Sequence, residues 1–193
     1  MLEEKYGPHR FVPGADNSPL PEREAARLAG LGRIGRHGLV ILPPYGSWIF
    51  LGTILTDLAF SLPPAAPSGG CMGCGRCVSA CPGGALRGDS FDPERCLSHL
   101  TQKKGELPPE QAALVAAHPL VWGCDVCQLV CPHNAGAAQT ALAPFREGLL
   151  HSLTGAAVEG LTNRQFREAY GERAFAWRGP AVLRRNLALQ KKT

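Results

Sequence analysis

The sequence predicts an α+β fold in three parts: a mixed N-terminal region, a cysteine-rich module of short elements, and C-terminal helices. Three observations carry that expectation. All eight cysteines of the 193-residue chain fall between Cys71 and Cys131. Upstream, two apolar stretches rich in β-formers flank the turn chemistry Pro43-Pro44-Tyr45-Gly46. Downstream, Thr162-Asn163-Arg164-Gln165 has the form of a capping box, and Gly171 stands where the helix it starts should stop. The parts expected are residues 1–62, 63–137 and 138–193.

The elements follow in chain order. Residues 1–18, with Pro8, Pro13 and Gly14, read as irregular. Pro19-Leu20-Pro21 opens a helix over Glu22 to Leu28, because proline is tolerated in a first turn whose amide protons lack partners anyway. Glu22 and Glu24 sit near its positive end, and Gly30-Leu31-Gly32 ends it. Leu39 to Leu42 and Ser47 to Leu55 are predicted to pair with each other as a hairpin. Leu58 to Gly70, with its three prolines, reads as a linker. Within the cysteine module a short helix is expected over Pro108 to Ala117, and a last helix over Pro180 to Gln190.

Composition excludes several classes. Hydrophobic residues make up 45% and charged residues 19%, values of a globular chain rather than a disordered one. No apolar run reaches the roughly 18 residues that span a bilayer. The N-terminus has neither the basic nor the apolar region of a signal peptide, so a soluble, cytoplasmic protein is expected. In a reducing compartment clustered thiols bind metal more often than they form disulfides.

Cys71-x2-Cys74-x2-Cys77-x3-Cys81-Pro82 is the bacterial ferredoxin spacing. Three thiolates two residues apart let one loop wrap three corners of a [4Fe-4S] cubane, and the fourth, before proline, ligates the other cluster. Cys124-x2-Cys127-x3-Cys131-Pro132 repeats the pattern with Val121 in place of its first cysteine. Cys96 is the eighth thiol. Two cubanes are therefore expected, one on Cys71, Cys74, Cys77 and Cys131, the other on Cys81, Cys96, Cys124 and Cys127. The competing reading is zinc, since CxxC pairs also suit a zinc knuckle; the doubled CxxC…CxxxCP pattern argues against it. The six histidines are scattered and none is needed as a ligand.

The flanking sequence resembles the epoxyqueuosine reductase family. The run from Asp16 through Asn-Ser-Pro-Leu-Pro-Glu-Arg to Gly38, Tyr45-Gly46-Ser47, and Leu51-Gly52-Thr53-Ile54-Leu55-Thr56-Asp57 carry the likeness. So do Cys96-Leu97-Ser98, Thr101-Gln102-Lys103-Lys104-Gly105, Trp122-Gly123-Cys124-Asp125-Val126-Cys127-Gln128 and Arg184-Arg185-Asn186. The resemblance implies a cobalamin-dependent oxidoreductase that removes the epoxide oxygen from epoxyqueuosine in tRNA. Two [4Fe-4S] clusters would reduce the cobalt, and Asp16 of the D-x-x-P-x-x-E-R run would protonate the departing oxygen. It also implies that residues 1–62 are the C-terminal part of a cobalamin-binding α/β domain, with cofactor contacts at Val40, Leu51 and Ser98, and that an electron donor such as a flavodoxin or ferredoxin is a partner. Relative to the family the chain is expected to be truncated at its N-terminus, and Gly35-Arg36-His37 stands where the family has Gly-Lys-Asn. Read without the resemblance, Asp16 before Asn-Ser-Pro suits a helix-entry turn equally well.

From Arg164 onward the tail interleaves Arg164, Arg167, Arg173, Arg178, Arg184, Arg185, Lys191 and Lys192 with Phe166, Tyr170, Phe175 and Trp177. That pattern suits RNA phosphates plus base stacking, and equally a solvated face over an aromatic core. The resemblance favours tRNA, with Lys103 and Lys104 also expected near its backbone. Two other functions remain open on the sequence: a 2[4Fe-4S] electron-transfer protein or subunit, and a corrinoid iron–sulfur reductase of the dehalogenase type.

Overall fold

The computed structural model describes residues 2–16, 19–59, 61 and 70–190. Most of the expected linker, and Lys191 and Lys192, lie outside the described residues. The chain forms two compact units, Met1–Gly75 with Cys131–Gln139, and Arg76–Val130 with Thr140–Thr193.

In the first unit α1 (Leu2–Tyr6), β1 (Phe11–Gly14), α2 (Glu22–Leu28), β2 (Arg33–Ile34), β3 (Val40–Ile41) and β4 (Thr53–Thr56) follow in order. The first eighteen residues are thus not irregular throughout. Glu3 and Glu4 in the first turn and Lys5 in the last match the dipole of α1. Phe11 pairs with Thr56 and Gly14 with Thr53 across an antiparallel ladder. Asp57, just past β4, ties the start of β1 by accepting from the Arg10 backbone N–H (3.0 Å) and facing His9 Nδ1 (3.2 Å). Those contacts hold its carboxyl below the usual carboxylate range, the Arg10 backbone bond contributing most.

The predicted 39–55 hairpin does not form. Each half pairs with an upstream strand instead, β3 with β2 and β4 with β1. The turn itself does form, with the Leu42 N–H donating to Gly46 O (2.8 Å) across Pro43 and Pro44. Leu42 and Gly46 make one isolated bridge, and the chain then leaves the pairing.

The second unit holds α3 (Arg76–Ala80), the β5–β6 hairpin (Leu86–Arg87 with Ser90–Phe91), α4 (Leu97–Gln102), α5 (Pro109–Ala116), α6 (Val126–Leu129), α7 (Gly155–Val158), α8 (Asn163–Tyr170) and α9 (Pro180–Gln190). α5 and α9 form where the sequence predicts them. At α8 the Gln165 N–H donates to Thr162 Oγ1 (3.3 Å), while Gln165 Oε1 accepts from the Thr162 N–H (2.9 Å), a complete capping box.

Two apolar clusters share α9. Leu97, Leu100 and Val115 are buried with Leu189 packed against them. Val158, Phe166 and Leu183 are buried with Val121, Trp122, Tyr170, Phe175 and Leu187 around them. Phe166, Tyr170 and Phe175 stack with centroids 5.4, 5.6 and 6.0 Å apart. The aromatic stripe of the tail is therefore core, and Trp177, 59% exposed, is the member left outside it. No helix among the described residues is long and apolar enough to cross a membrane.

Candidate metal centre

Four thiols come together within the second unit. Cys81 follows α3, Cys96 stands at the N-cap of α4, Cys124 precedes α6 and Cys127 lies inside it. α3 and α6 pack against each other. Burial pushes the Cys124 thiol up, and its neighbours Cys96 and Cys81 push it further. Burial first, then the neighbouring Cys124, Cys96, Asp125 and Cys81, raise Cys127 to about 11. Such a group repels itself as thiolates and is stabilised by a positively charged centre, because a bound metal reverses the local pKa logic. No three His, Cys, Asp or Glu side chains among the described residues converge as ligands of a single ion. The four thiols instead stand apart, in electrostatic reach of one another.

Short-range devices set this group. The Ala85 N–H donates to Cys81 Sγ (3.2 Å), the kind of bond that tunes a cluster sulfur. Asp92 caps the Pro93–Arg95 turn by accepting from the Glu94 N–H (3.1 Å), which delivers Cys96. Gly83 lets the chain after Cys81 pass against that turn: a Cβ there would stand 1.8 Å from the Arg95 carbonyl oxygen. Arg95 Nε then donates to Gly83 O (2.6 Å). On the Cys124 side the Gly123 N–H donates to Thr101 Oγ1 (3.0 Å), whose hydroxyl donates to Leu97 O (2.8 Å).

Of the other four cysteines, Cys71, Cys74 and Cys131 belong to the first unit and Cys77, buried in α3, to the second. The Arg36 N–H, then the Gly73 N–H, hold the Cys71 thiol below its ordinary pKa. The turn after Cys131 is anchored through Asn134, whose Oδ1 accepts from the Ser47 N–H (2.7 Å) and whose Nδ2 donates to Ser47 Oγ (2.9 Å). Gly46 permits that approach, since a Cβ would stand 2.0 Å from Asn134 Oδ1.

Asp16 is exposed just past β1 with φ at 49°, the left-handed region that aspartate tolerates better than most residues. Its successors Asn17 and Ser18 lie outside the described residues. Val40 is buried in β3, where it pairs with Ile34. Leu51 is half-buried just upstream of β4. Ser98, in α4 of the second unit, accepts from Gln102 Nε2 through Oγ (3.3 Å).

One expectation for the basic residues is corrected. Arg184 donates to the carbonyls of Val158 (2.8 Å) and Leu161 (2.5 Å). Arg185 donates to those of Lys103 (2.6 Å), Gly105 (2.7 Å) and Leu100 (3.0 Å), and burial lowers its pKa. Both are structural clamps rather than an RNA-facing pair. Lys103 Nζ is ion-paired with Glu94 (2.6 Å), while Lys104 is exposed. Asn186, singled out in the sequence only as part of the Arg184-Arg185-Asn186 likeness, is fully buried, and its Nδ2 donates to Thr101 O and Val121 O, both at 2.8 Å.

Residues 70–134 match the family described as "4Fe-4S double cluster binding domain". An epoxyqueuosine reductase of Listeria monocytogenes is 36% identical over 96% of this chain and 49% of its own length. A structure of an epoxyqueuosine reductase with an epoxyqueuosine-modified tRNA-Tyr stem loop superposes with a TM-score of 0.86 at 31% identity, over 98% of this chain and 50% of that one. The Bacillus subtilis enzyme, described with its catalytic aspartate loop swung out of the active site, gives 0.79 at 30% identity over the same shares. The chain spans about half the length of the curated relatives it matches. The chain is thus similar to epoxyqueuosine reductases over nearly its whole length, and its cysteine segment is similar to 4Fe-4S double cluster binding domains.

Proposed function

We propose that the chain acts in the reduction of epoxyqueuosine to queuosine in tRNA, with Cys71, Cys74, Cys77 and Cys131 holding one [4Fe-4S] cluster and Cys81, Cys96, Cys124 and Cys127 the other. The observation that carries this reading is the likeness to epoxyqueuosine reductases over 98% of the chain, one of them in complex with a modified tRNA stem loop. Cys81 and Cys96 raise the thiol pKa of Cys124 and Cys127, and these four are the set that would hold the second cubane. When bound, the clusters and cobalamin supply low-potential electrons one at a time. Removal of the epoxide oxygen consumes two electrons and two protons and releases water, and Asp16 donates a proton to that oxygen as it leaves. Val40, Leu51 and Ser98 are the positions that would contact cobalamin, as the family resemblance implies. A flavodoxin- or ferredoxin-type donor supplies the electrons, and the reaction runs in the cytoplasm.

A second reading, an electron-transfer protein or subunit, has its own support: the four-thiol group is assembled within one compact unit. Anaerobic reconstitution with iron and sulfide, then addition of cobalamin and epoxyqueuosine-containing tRNA with a low-potential reductant, separates the two. Co-elution of cobalamin and formation of queuosine supports the reductase. Intact clusters with neither supports the carrier.

A further inference from the structure

With Arg184 and Arg185 engaged as clamps, the remaining tail arginines gain significance. A cavity of about 360 Å³ lies between the start of α8 and the Ala176–Arg178 turn, lined by Asn163, Phe166, Arg167, Trp177, Arg178 and Gly179. Its lining carries two arginines and no acid. The Arg178 guanidinium stacks 3.8 Å from the centre of the Trp177 ring. Arg178 Nε is buried with no hydrogen-bond partner, and a buried donor left unmade is costly unless a ligand completes it. Trp177 is the aromatic of this segment that the core does not absorb. Guanidiniums that bind an oxyanion beside an exposed aromatic ring that can carry a base are the two halves of a nucleotide site.

We infer that this cavity is a single-stranded RNA nucleotide site, in which Arg167 and Arg178 hold a phosphate and a base stacks on Trp177. The inference rests on the tRNA reading above and adds a contact to it, away from the four-thiol group. Gly179, with φ at +79°, sets the turn that carries Trp177 and Arg178 to the cavity edge.

The test uses the full chain with clusters reconstituted and two probes, a single-stranded RNA pentamer and a tRNA anticodon stem loop. Binding of the pentamer is expected to quench tryptophan fluorescence, and Trp177→Ala to abolish that quenching and weaken binding about tenfold. Arg167→Gln and Arg178→Gln are each expected to flatten the slope of log affinity against log salt by about 0.7. Because Arg167 is exposed, its variant keeps the test valid should the Arg178 variant unfold. Wild-type affinity and salt slope in all three variants would overturn the site while leaving the tRNA reading intact. So would displacement of the pentamer by inorganic phosphate with Trp177→Ala silent, which describes an anion pocket only. A pentamer bound through these residues with no binding of the stem loop would overturn the tRNA reading and keep the site.

Discussion

Asn186 and Arg185 show how much a single pair of side chains can organise. The amide of Asn186 reaches the carbonyls of Thr101 and Val121, while Oδ1 accepts from Arg185. Val121 leads directly into the Gly123–Cys124 turn, so α9 braces the backbone that presents Cys124. Replacing Asn186 with leucine strands buried polar groups at once, and an unmade buried hydrogen bond costs roughly 1–3 kcal/mol. Asn186→Leu is expected to lower stability by about 3 kcal/mol, read as a shift of the urea midpoint. His37 gives a pH signature. Burial first, and then the charge of His133, keep its pKa below the ordinary value. Between the unfolded pKa near 6.5 and the lower folded one, the unfolded chain binds more protons, so stability is full above about pH 6.5 and declines below it. The decline is at most about 1.4 kcal/mol per pH unit, and His37→Gln should flatten it in urea titrations. For Asp16 the expected outcome of Asp16→Asn is a loss of turnover of about a hundredfold or more, with iron and cobalamin content unchanged. Turnover preserved in that variant would remove Asp16 as the acid.

The cysteine loops are the elements that matter most, and the spacing that matches a 4Fe-4S double cluster binding domain is legible in the sequence because it is local. Cubane spacing is written within eleven residues from Cys71 to Cys81, and helix caps such as Thr162 with Gln165 act across three. What could not be read was pairing at a distance. β2 and β3 are two residues each and pair with one another, while β4 takes β1, whose partners lie some forty positions away. Nor did composition separate Arg184 and Arg185 from Arg167 and Arg178, since the carbonyls that Arg185 clamps lie more than eighty positions upstream or close to it. Gly83 is the element-scale test. Gly83→Ala would drive a Cβ into the Arg95 carbonyl and separate the segment after Cys81 from the turn that leads into Cys96. The expected product contains about four iron atoms per chain instead of about eight, measured by iron analysis after anaerobic reconstitution. Full iron loading in the alanine variant would show that the close approach does not set the ligands.

At the scale of the whole molecule, two compact units share the eight cysteines, and the set expected for one cubane lies within a single unit. Over 98% of its length the chain superposes on half of an epoxyqueuosine reductase. The polypeptide thus brings the double-cluster domain, the Asp16 loop and a basic helical tail together in one chain. The central claim is that these parts work on epoxyqueuosine in tRNA, and one measurement meets it most directly. The reconstituted protein is incubated anaerobically with cobalamin, a low-potential reductant and epoxyqueuosine-containing tRNA, and the tRNA is digested and its nucleosides are resolved by mass spectrometry. The account predicts conversion of epoxyqueuosine to queuosine, lost in Cys96→Ser together with half the iron. Fully loaded clusters with epoxyqueuosine left unchanged would contradict it.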